Sequence, residues 1–189
     1  MQINSVLSEI CSQHRGIGST DQCYAVLYSF VRAFGAKRVV EVGTHQAAST
    51  IAICQAVLDN KEIPQVWTID NWSQPPGSEK MARDHLAKAG FENYVTMVRG
   101  NSDKVLPVLF SEIGAVDLVF IDGCHSPDAV QKDIDACMSY SNRLVMHDTP
   151  AMNSYLYKLR GMGWIVTVFP TRFLEGGGAF VGISLAVKE

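Results

Sequence analysis

The chain has 189 residues, of which 47% are hydrophobic and 19% charged, and its formal net charge is −3. This length and composition predict one folded domain with a buried core and exclude a disordered chain. The acidic balance, with no basic stripe in the sequence, disfavours a nucleic-acid backbone as the partner.

The N-terminal part of the chain is predicted to be helical. Apolar residues recur at helical spacing within 1–15, and the glycines at positions 16 and 18 end that segment. A second helix is predicted over 21–34, because N-capping residues precede it and Gly35 offers a C-cap. We therefore expect residues 1–35 to form a helical segment ahead of the first strand.

Short apolar runs then alternate with amphipathic segments. Five runs predict buried strands, over 38–43, 66–70, 94–99, 116–122 and 143–147. A helix is predicted after each of them, over 49–58, 79–89, 103–112, 127–140 and 153–161. This alternation indicates a mostly parallel sheet that is covered by helices on both faces.

The chain ends in two further predicted strands, over 164–169 and 179–187. No helical pattern separates them, and three consecutive glycines, 176–178, lie in the joining loop. These features predict an antiparallel hairpin. The expected fold is therefore α/β and Rossmann-like: one domain over 1–189, with a doubly wound, mostly parallel, seven-stranded sheet that ends in this hairpin. Ligands of such sheets bind at the C-terminal strand ends beside the first strand.

The ends of the first two strands suggest a ligand site. Glu41-Val-Gly43-Thr44 ends the first strand, and a glycine there lets the backbone turn tightly and approach a ligand. Asp70 ends the second strand and Asn71 follows it. An acid at that distance from a glycine loop suits hydrogen bonding to ribose hydroxyls. The alternative is that Asp70 only caps a helix or faces solvent.

The third strand leads into Gly100-Asn-Ser-Asp103. Asn101 and Ser102 are placed to contact the edge of an adenine ring. The alternative is that Ser102 or Asp103 simply caps the helix that follows. Trp67 and Trp72 either belong to the core or cover a ring of the ligand, and Trp72, just beyond the second strand, is the better placed of the two to cover a ring.

Two acids and two imidazoles follow the fourth and fifth strands. Asp122 and His125 follow the fourth strand, and His147 and Asp148 end the fifth. Asp122, His147 and Asp148 could supply oxygen and nitrogen ligands to Mg²⁺ or another divalent ion. Alternatively, His125 or His147 acts as a general base toward a substrate hydroxyl. A third interpretation is an Asp–His pair that only shapes the pocket.

The cysteines and the N-terminus bear on the compartment. The five cysteines include no Cys-x-x-Cys pair, which argues against a disulfide framework or a structural zinc site. The N-terminus lacks the pattern of a signal peptide, and no apolar stretch approaches membrane-spanning length. We expect a soluble, cytoplasmic protein with reduced thiols and no membrane partner.

Taken together, these motifs resemble class I S-adenosylmethionine-dependent methyltransferases. The resemblance covers roughly 19–187 and is nearest to the branch of catechol O-methyltransferase-like and small-molecule tailoring enzymes. The matching segments, in chain order, are RVVEVGT (38–44), TID (68–70), GNS (100–102), DLVFIDGCH (117–125) and LVMHD (144–148).

The resemblance implies a role for each motif. Glu41, Gly43 and Thr44 would surround the methionine part of S-adenosylmethionine, and Asp70 and Asn71 would bind its ribose. Asn101 and Ser102 would flank its adenine. Asp122 would border the cofactor. In metal-dependent members, an acid after the fourth strand and an acid plus an amide or a further acid after the fifth hold Mg²⁺. Those positions match Asp122, His147 and Asp148 here.

Two positions depart from the family pattern. His147 stands where an oxygen ligand is expected, and imidazole is a poorer ligand for Mg²⁺, which leaves open a softer metal or a general base. Ala47 stands where a further glycine is common. We expect the loop to work nonetheless, because alanine is small.

The activity implied is methyl transfer to a hydroxyl oxygen of a small-molecule acceptor, with Asp122, His125 and His147 as catalytic candidates and with or without a divalent metal. The acceptor pocket would use the N-terminal segment and the loops 71–77 and 171–178. The resemblance also leaves open a homodimer. The rival hypotheses are a metal-dependent hydrolase or hydroxylase on the same fold and a non-catalytic cofactor-binding module. A nicotinamide dehydrogenase is disfavoured, since one glycine stands where its fingerprint has three.

Overall fold

The computed structural model describes residues 5, 9, 21–73, 75–147, 153–173 and 180–189. The helices within these residues are α1 (Asp21–Phe34), α2 (Ala48–Asp59), α3 (Ser78–Ala89), α4 (Ser102–Ile113), α5 (Pro127–Cys137) and α6 (Asn153–Gly161). The strands are β1 (Arg38–Val42), β2 (Gln65–Asp70), β3 (Val95–Arg99), β4 (Leu118–Ile121), β5 (Arg143–His147), β6 (Ile165–Phe173) and β7 (Phe180–Val187). The helix predicted within 1–15 lies outside the described residues, apart from positions 5 and 9.

The strands form one mixed sheet in the order β3-β2-β1-β4-β5-β7-β6. The first five strands pair in parallel, and β7 pairs antiparallel with both β5 and β6. The predicted fold class is therefore confirmed, including the C-terminal hairpin. The strand order reverses between β1 and β4, so the C-terminal ends of these two strands flank the crevice where ligands of such sheets bind.

Alternating side chains on the central strands form a core on each face of the sheet. Val39 packs with apolar residues of α1, α2 and α3, whereas Val40 packs with those of α4, α5 and α6. All four residues of β4 are buried. Because both faces are covered, these strands are continuous apolar runs, and the strand ends are where polar side chains can reach solvent.

Several predicted bounds differ from the observed ones, most of all at the ends of α5 and β4 and at the end of β6, which runs to Phe173 instead of residue 169. The helix predicted over 127–140 ends at Cys137, because the Tyr140 carbonyl accepts a hydrogen bond from the Val116 amide and the Tyr140 ring stacks on Phe110. The strand predicted over 116–122 is shorter at both ends. At its start, the Asp117 carboxylate instead accepts hydrogen bonds from the Lys37 and Arg38 amides.

None of the helices in the described part of the chain combines the length and apolar composition needed to cross a bilayer.

Candidate functional site

A cavity of about 820 Å³ opens at the C-terminal ends of β1, β2, β3 and β4. This volume lies within the range of small-molecule and cofactor sites. Of the eight residues that the sequence assigned to the cofactor, seven line the cavity: Gly43, Thr44, Asp70, Asn71, Asn101, Ser102 and Asp122. The strand-end motifs, which are spread over about 80 residues of sequence, therefore meet in one place.

Gly43 makes the turn at the end of β1 possible. Its φ is +98°, and a Cβ built on it would lie 2.1 Å from the backbone oxygen of Asp122. The amide of Gly43 donates to the Ile69 carbonyl at 2.8 Å, and the amide of Asp122 donates to the Val42 carbonyl at 2.8 Å. The turn is thus pressed between β2 and β4, and no side chain fits at this position.

The loop that follows is held in two left-handed conformations. His45 has a φ of +47° and Ala47 a φ of +68°. Ala47 occupies the N-cap of α2 and makes no side-chain cap hydrogen bond. Glycine would adopt this conformation without the steric cost of a Cβ, which accounts for the expectation of glycine at Ala47. At the start of α2, Ala48 and Ser49 line the cavity, where the helix N-terminus favours a carboxylate.

Asp70 joins the loop after β1 to the loop after β2. Its Oδ2 accepts a hydrogen bond from the His45 amide at 2.8 Å, and its Oδ1 accepts one from the Trp72 amide at 2.8 Å. Each carboxylate oxygen can accept a second hydrogen bond, so the ribose role stays open to this residue. The sequence indicated the ligand role of Asp70 but not this tie between loops.

Trp72 supports the loops from within. The expectation that its ring covers the ligand was wrong: the residue is only 6% exposed. Its Nε1 donates to the His45 carbonyl at 3.3 Å, and the Arg99 guanidinium carbon lies 5.9 Å from the ring centroid. The cation–π contact and the hydrogen bond fix the indole beneath the glycine loop.

The third strand end contributes Asn101, Ser102 and Asp103 to the cavity wall. Asn101, rather than Ser102 or Asp103, is the N-cap of α4, and it makes no side-chain cap hydrogen bond. Its Oδ1 instead accepts a hydrogen bond from Asn71 Nδ2 at 3.0 Å. The structure therefore does not show the capping alternative for Ser102 and Asp103. Both residues line the cavity, where the Asp103 carboxylate also lies 3.6 Å from Nζ of Lys104.

The fourth and fifth strand ends bring Asp122 and His147 together. Asp122 lines the cavity with its side chain 17% exposed, and its Oδ1 lies 3.2 Å from Nδ1 of His147. His147 is 2% exposed, and its Nε2 lies 3.3 Å from Sγ of Cys23 on α1. His125 is exposed and lines the cavity. Asp148, the third predicted metal ligand, lies outside the described residues.

Among the residues that the structure describes, no group of three or more His, Cys, Asp or Glu side chains is placed to hold a metal ion. Of the predicted metal ligands that the structure describes, Asp122 lines the cavity and His147 is buried next to it.

Glu41 lies behind the glycine loop and is fully buried. Its Oε2 accepts hydrogen bonds from Thr50 Oγ1 at 2.5 Å and Thr68 Oγ1 at 2.6 Å. Because Thr68 donates to Glu41, the Thr44 hydroxyl, 2.6 Å from Thr68 Oγ1, donates to Thr68. Burial raises the pKa of Glu41 to about 7, partly offset by hydrogen bonds from neighbouring hydroxyls. Glu41 therefore anchors Thr44 and α2 from below.

Replacing Glu41 with glutamine should remove a pH dependence of stability. Glu41 is protonated in both states below its unfolded pKa of 4.5, so the full stability is present there and is lost as the pH rises toward 7. The shift corresponds to roughly 3 kcal/mol at pH 8. Urea unfolding at pH 5 and pH 8 should show a smaller loss for Glu41→Gln than for the wild type. The exposed control Glu62→Gln should lose as much stability between the two pH values as the wild type. An equal loss in the wild type and in Glu41→Gln would refute the assignment.

Several cavity residues were missed by the sequence reasoning. Tyr24 reaches the cavity from α1, Gln46 from the glycine loop, and Lys132 from α5. Tyr24 and Lys132 lie on predicted helices that carry no motif of their own. No local signal marks these positions, because the packing of α1 and α5 against the sheet places them there.

Comparisons with known proteins agree with this geometry. A family model described as "Methyltransferase domain" matches residues 40–149. No protein of curated function matches the sequence.

Solved structures also share the fold. An O-methyltransferase from Streptomyces achromogenes involved in tomaymycin synthesis, solved with S-adenosylmethionine, is 22% identical with a TM-score of 0.77, covering 98% of this chain and 90% of its own. An O-methyltransferase from Bacillus cereus bound to S-adenosylhomocysteine is 15% identical with a TM-score of 0.80, covering 100% and 93%. A methyltransferase from Podospora anserina bound to S-adenosylhomocysteine is 16% identical with a TM-score of 0.74, covering 99% and 89%.

Proposed function

Because the chain belongs to the family described as "Methyltransferase domain", we propose that it transfers the methyl group of S-adenosylmethionine to a hydroxyl oxygen of a small molecule. The observation that carries this proposal is the cavity at the ends of β1 to β4, where the side chains of Asp70, Asn101 and Asp122 converge. The similar structures that are O-methyltransferases share its fold.

The cavity suits each part of S-adenosylmethionine. The methionine part would lie along Gly43 and Thr44, with its carboxylate toward the N-terminus of α2. Asp70 would bind the ribose hydroxyls through the carboxylate lone pairs left over from the loop hydrogen bonds, and Asn71 beside it through its side-chain amide. The adenine would lie between the third strand end, at Asn101 and Ser102, and the fourth.

S-adenosylmethionine supplies an activated methyl group, so the protein has to position the acceptor and remove its proton. The methyl carbon passes from sulfur to the acceptor oxygen, sulfur keeps the electron pair of the broken bond, and the hydroxyl proton goes to a base. We assign the base to His125, because its imidazole lines the cavity while His147 is buried behind Asp122.

The acceptor side of the cavity is proposed to include the N-terminal segment 1–35 and the loops 71–77 and 171–178. Tyr24 on α1 and Ser73 in the first loop line the cavity, which supports these two contributions. Much of the 171–178 loop lies outside the described residues.

A divalent metal is a further proposal for the same site. Asp122 would provide one oxygen ligand and Asp148 a second, with His147 as the softer candidate. The metal would lower the pKa of the acceptor hydroxyl and orient it. The support for this arrangement is the carboxylate of Asp122 at the cavity wall.

We also propose a cytoplasmic location, supported by the reduced thiols of the four described cysteines, Cys23, Cys54, Cys124 and Cys137. A homodimer, implied by the family resemblance, would give in light scattering a mass twice the 20.7 kDa of one chain.

A methyl-transfer assay tests the proposed function. The protein is incubated with S-adenosylmethionine labelled in its methyl group and with panels of phenols and sugars, with chelator or with Mg²⁺ or Mn²⁺. We expect label in an O-methyl product, and His125→Gln to reduce turnover by about 100-fold while S-adenosylhomocysteine binding persists. Activity that survives chelation would contradict the metal proposal. Cofactor binding with no transfer in any panel would favour the non-catalytic module.

A further inference from the structure

Three side chains in contact, Cys23, His147 and Asp122, connect α1 to the wall of the cavity. Cys23 and His147 are each 2% exposed, and their Sγ and Nε2 atoms lie 3.3 Å apart, although 124 residues separate them in sequence. On the other side of the imidazole, Nδ1 lies 3.2 Å from Oδ1 of Asp122, a charge contact that does not have hydrogen-bond geometry. Of these three residues, Asp122 lines the cavity.

These contacts discriminate between the two neutral tautomers of His147. With the proton on Nδ1, the partial positive charge of that N–H attracts the nearby Asp122 carboxylate, and Nε2 can accept a hydrogen bond from the Cys23 thiol. With the proton on Nε2, the lone pair of Nδ1 would face the carboxylate, which is repulsive. Only the first tautomer makes both contacts favourable.

We propose that Cys23 is a positioning residue of the cofactor site: its thiol donates to Nε2 of His147, fixes the Nδ1–H tautomer and so holds the Asp122 carboxylate toward the cavity. The backbone of Asp122 is already fixed by its hydrogen bond to Val42. His147 then fixes its side chain, as an outer partner orients a ligating group. In this arrangement both ring nitrogens of His147 are engaged, so His147 acts through Asp122 and not as a metal ligand. Cys23 connects α1 to the cavity wall through His147.

The tautomer of His147 can be measured in the full-length protein. Nitrogen-15 NMR of a histidine-labelled sample separates protonated from unprotonated ring nitrogens, and the loss of one signal set in His147→Gln assigns the residue among the five histidines. The variants are Cys23→Ala, which removes the donor, and Cys23→Ser, which keeps one. Cys137→Ala is the control for loss of a buried thiol elsewhere in the core.

We expect the wild type to carry the proton on Nδ1 alone, and Cys23→Ser and Cys137→Ala to preserve that state. Cys23→Ala should let the proton distribute to Nε2 and weaken S-adenosylhomocysteine binding by about threefold to tenfold in calorimetry. A proton on Nε2 in the wild type, or Cys23→Ala with the wild-type tautomer and affinity, would overturn the proposal.

The link from Asp122 to affinity rests on the proposed function, whereas the tautomer does not. If the wild type binds no S-adenosylhomocysteine, the proposed function fails, and the NMR result alone still decides the role of Cys23.

Discussion

Gly43→Ala is expected to destabilise the fold by about 2 to 5 kcal/mol and to remove cofactor binding. The added Cβ would lie 2.1 Å from the Asp122 backbone oxygen, far inside contact distance, at a φ of +98°. Relief requires the end of β1 to move away from β4. That movement opens the turn at which the methionine part would bind. Urea unfolding gives the loss of stability, and calorimetry with S-adenosylhomocysteine gives the loss of affinity.

Gly90→Ala is the matched control for this substitution. Gly90 ends α3 with a similarly left-handed φ of +77°, but a Cβ there meets nothing within 4 Å. Gly90→Ala should lower the free energy of unfolding by only about 1 kcal/mol, because a Cβ is opposed there by the left-handed backbone conformation alone, and cofactor binding should stay unchanged. Equal losses of stability in the two variants would show that the close approach of β1 and β4 is not the reason for glycine at position 43.

Asp70→Ala is expected to weaken S-adenosylhomocysteine binding by about tenfold or more, because the hydrogen bonds to the ribose are lost. The variant also leaves the amides of His45 and Trp72 without their acceptor, so the glycine loop loses its tie to β2. Asp70→Asn should fall between the wild type and alanine, because the amide retains one acceptor oxygen.

The control for Asp70 is Asp84→Ala on α3, whose carboxylate pairs only with an exposed Lys80 among the contacts described. Surface pairs of this kind contribute little, so its affinity should match the wild type. Calorimetry that gave Asp70→Ala the affinity of Asp84→Ala would take Asp70 out of the site.

The sheet could be predicted because its signals are local. Continuous apolar runs marked the strands, and Gly43 and Asp70 were recognisable because each stands directly after such a run. The helix bounds were less accessible: α5 ends three residues early because Val116 and Phe110, distant in sequence, hold Tyr140. The helix propensities of residues within the segment do not reflect such tertiary contacts.

The interior of the site could be predicted only in part. His147 was expected at the strand ends, but its burial against Cys23 depends on how α1 packs on the sheet. Trp72 was expected against the ligand and instead supports the loop, because its left-handed backbone turns the ring toward His45 and Arg99. Glu41 was expected near the cofactor; it is fully buried and does not line the cavity. Tertiary packing decides these orientations, and sequence spacing does not encode it.

The central claim is that the cavity at the ends of β1 to β4 binds S-adenosylmethionine. Calorimetric titration with S-adenosylhomocysteine tests it most directly, in the presence of a chelator and again with Mg²⁺ or Mn²⁺. We predict binding with a dissociation constant on the order of micromolar, lost in Gly43→Ala and weakened in Asp70→Ala. A folded wild-type protein that binds no S-adenosylhomocysteine under any of these conditions would contradict the account.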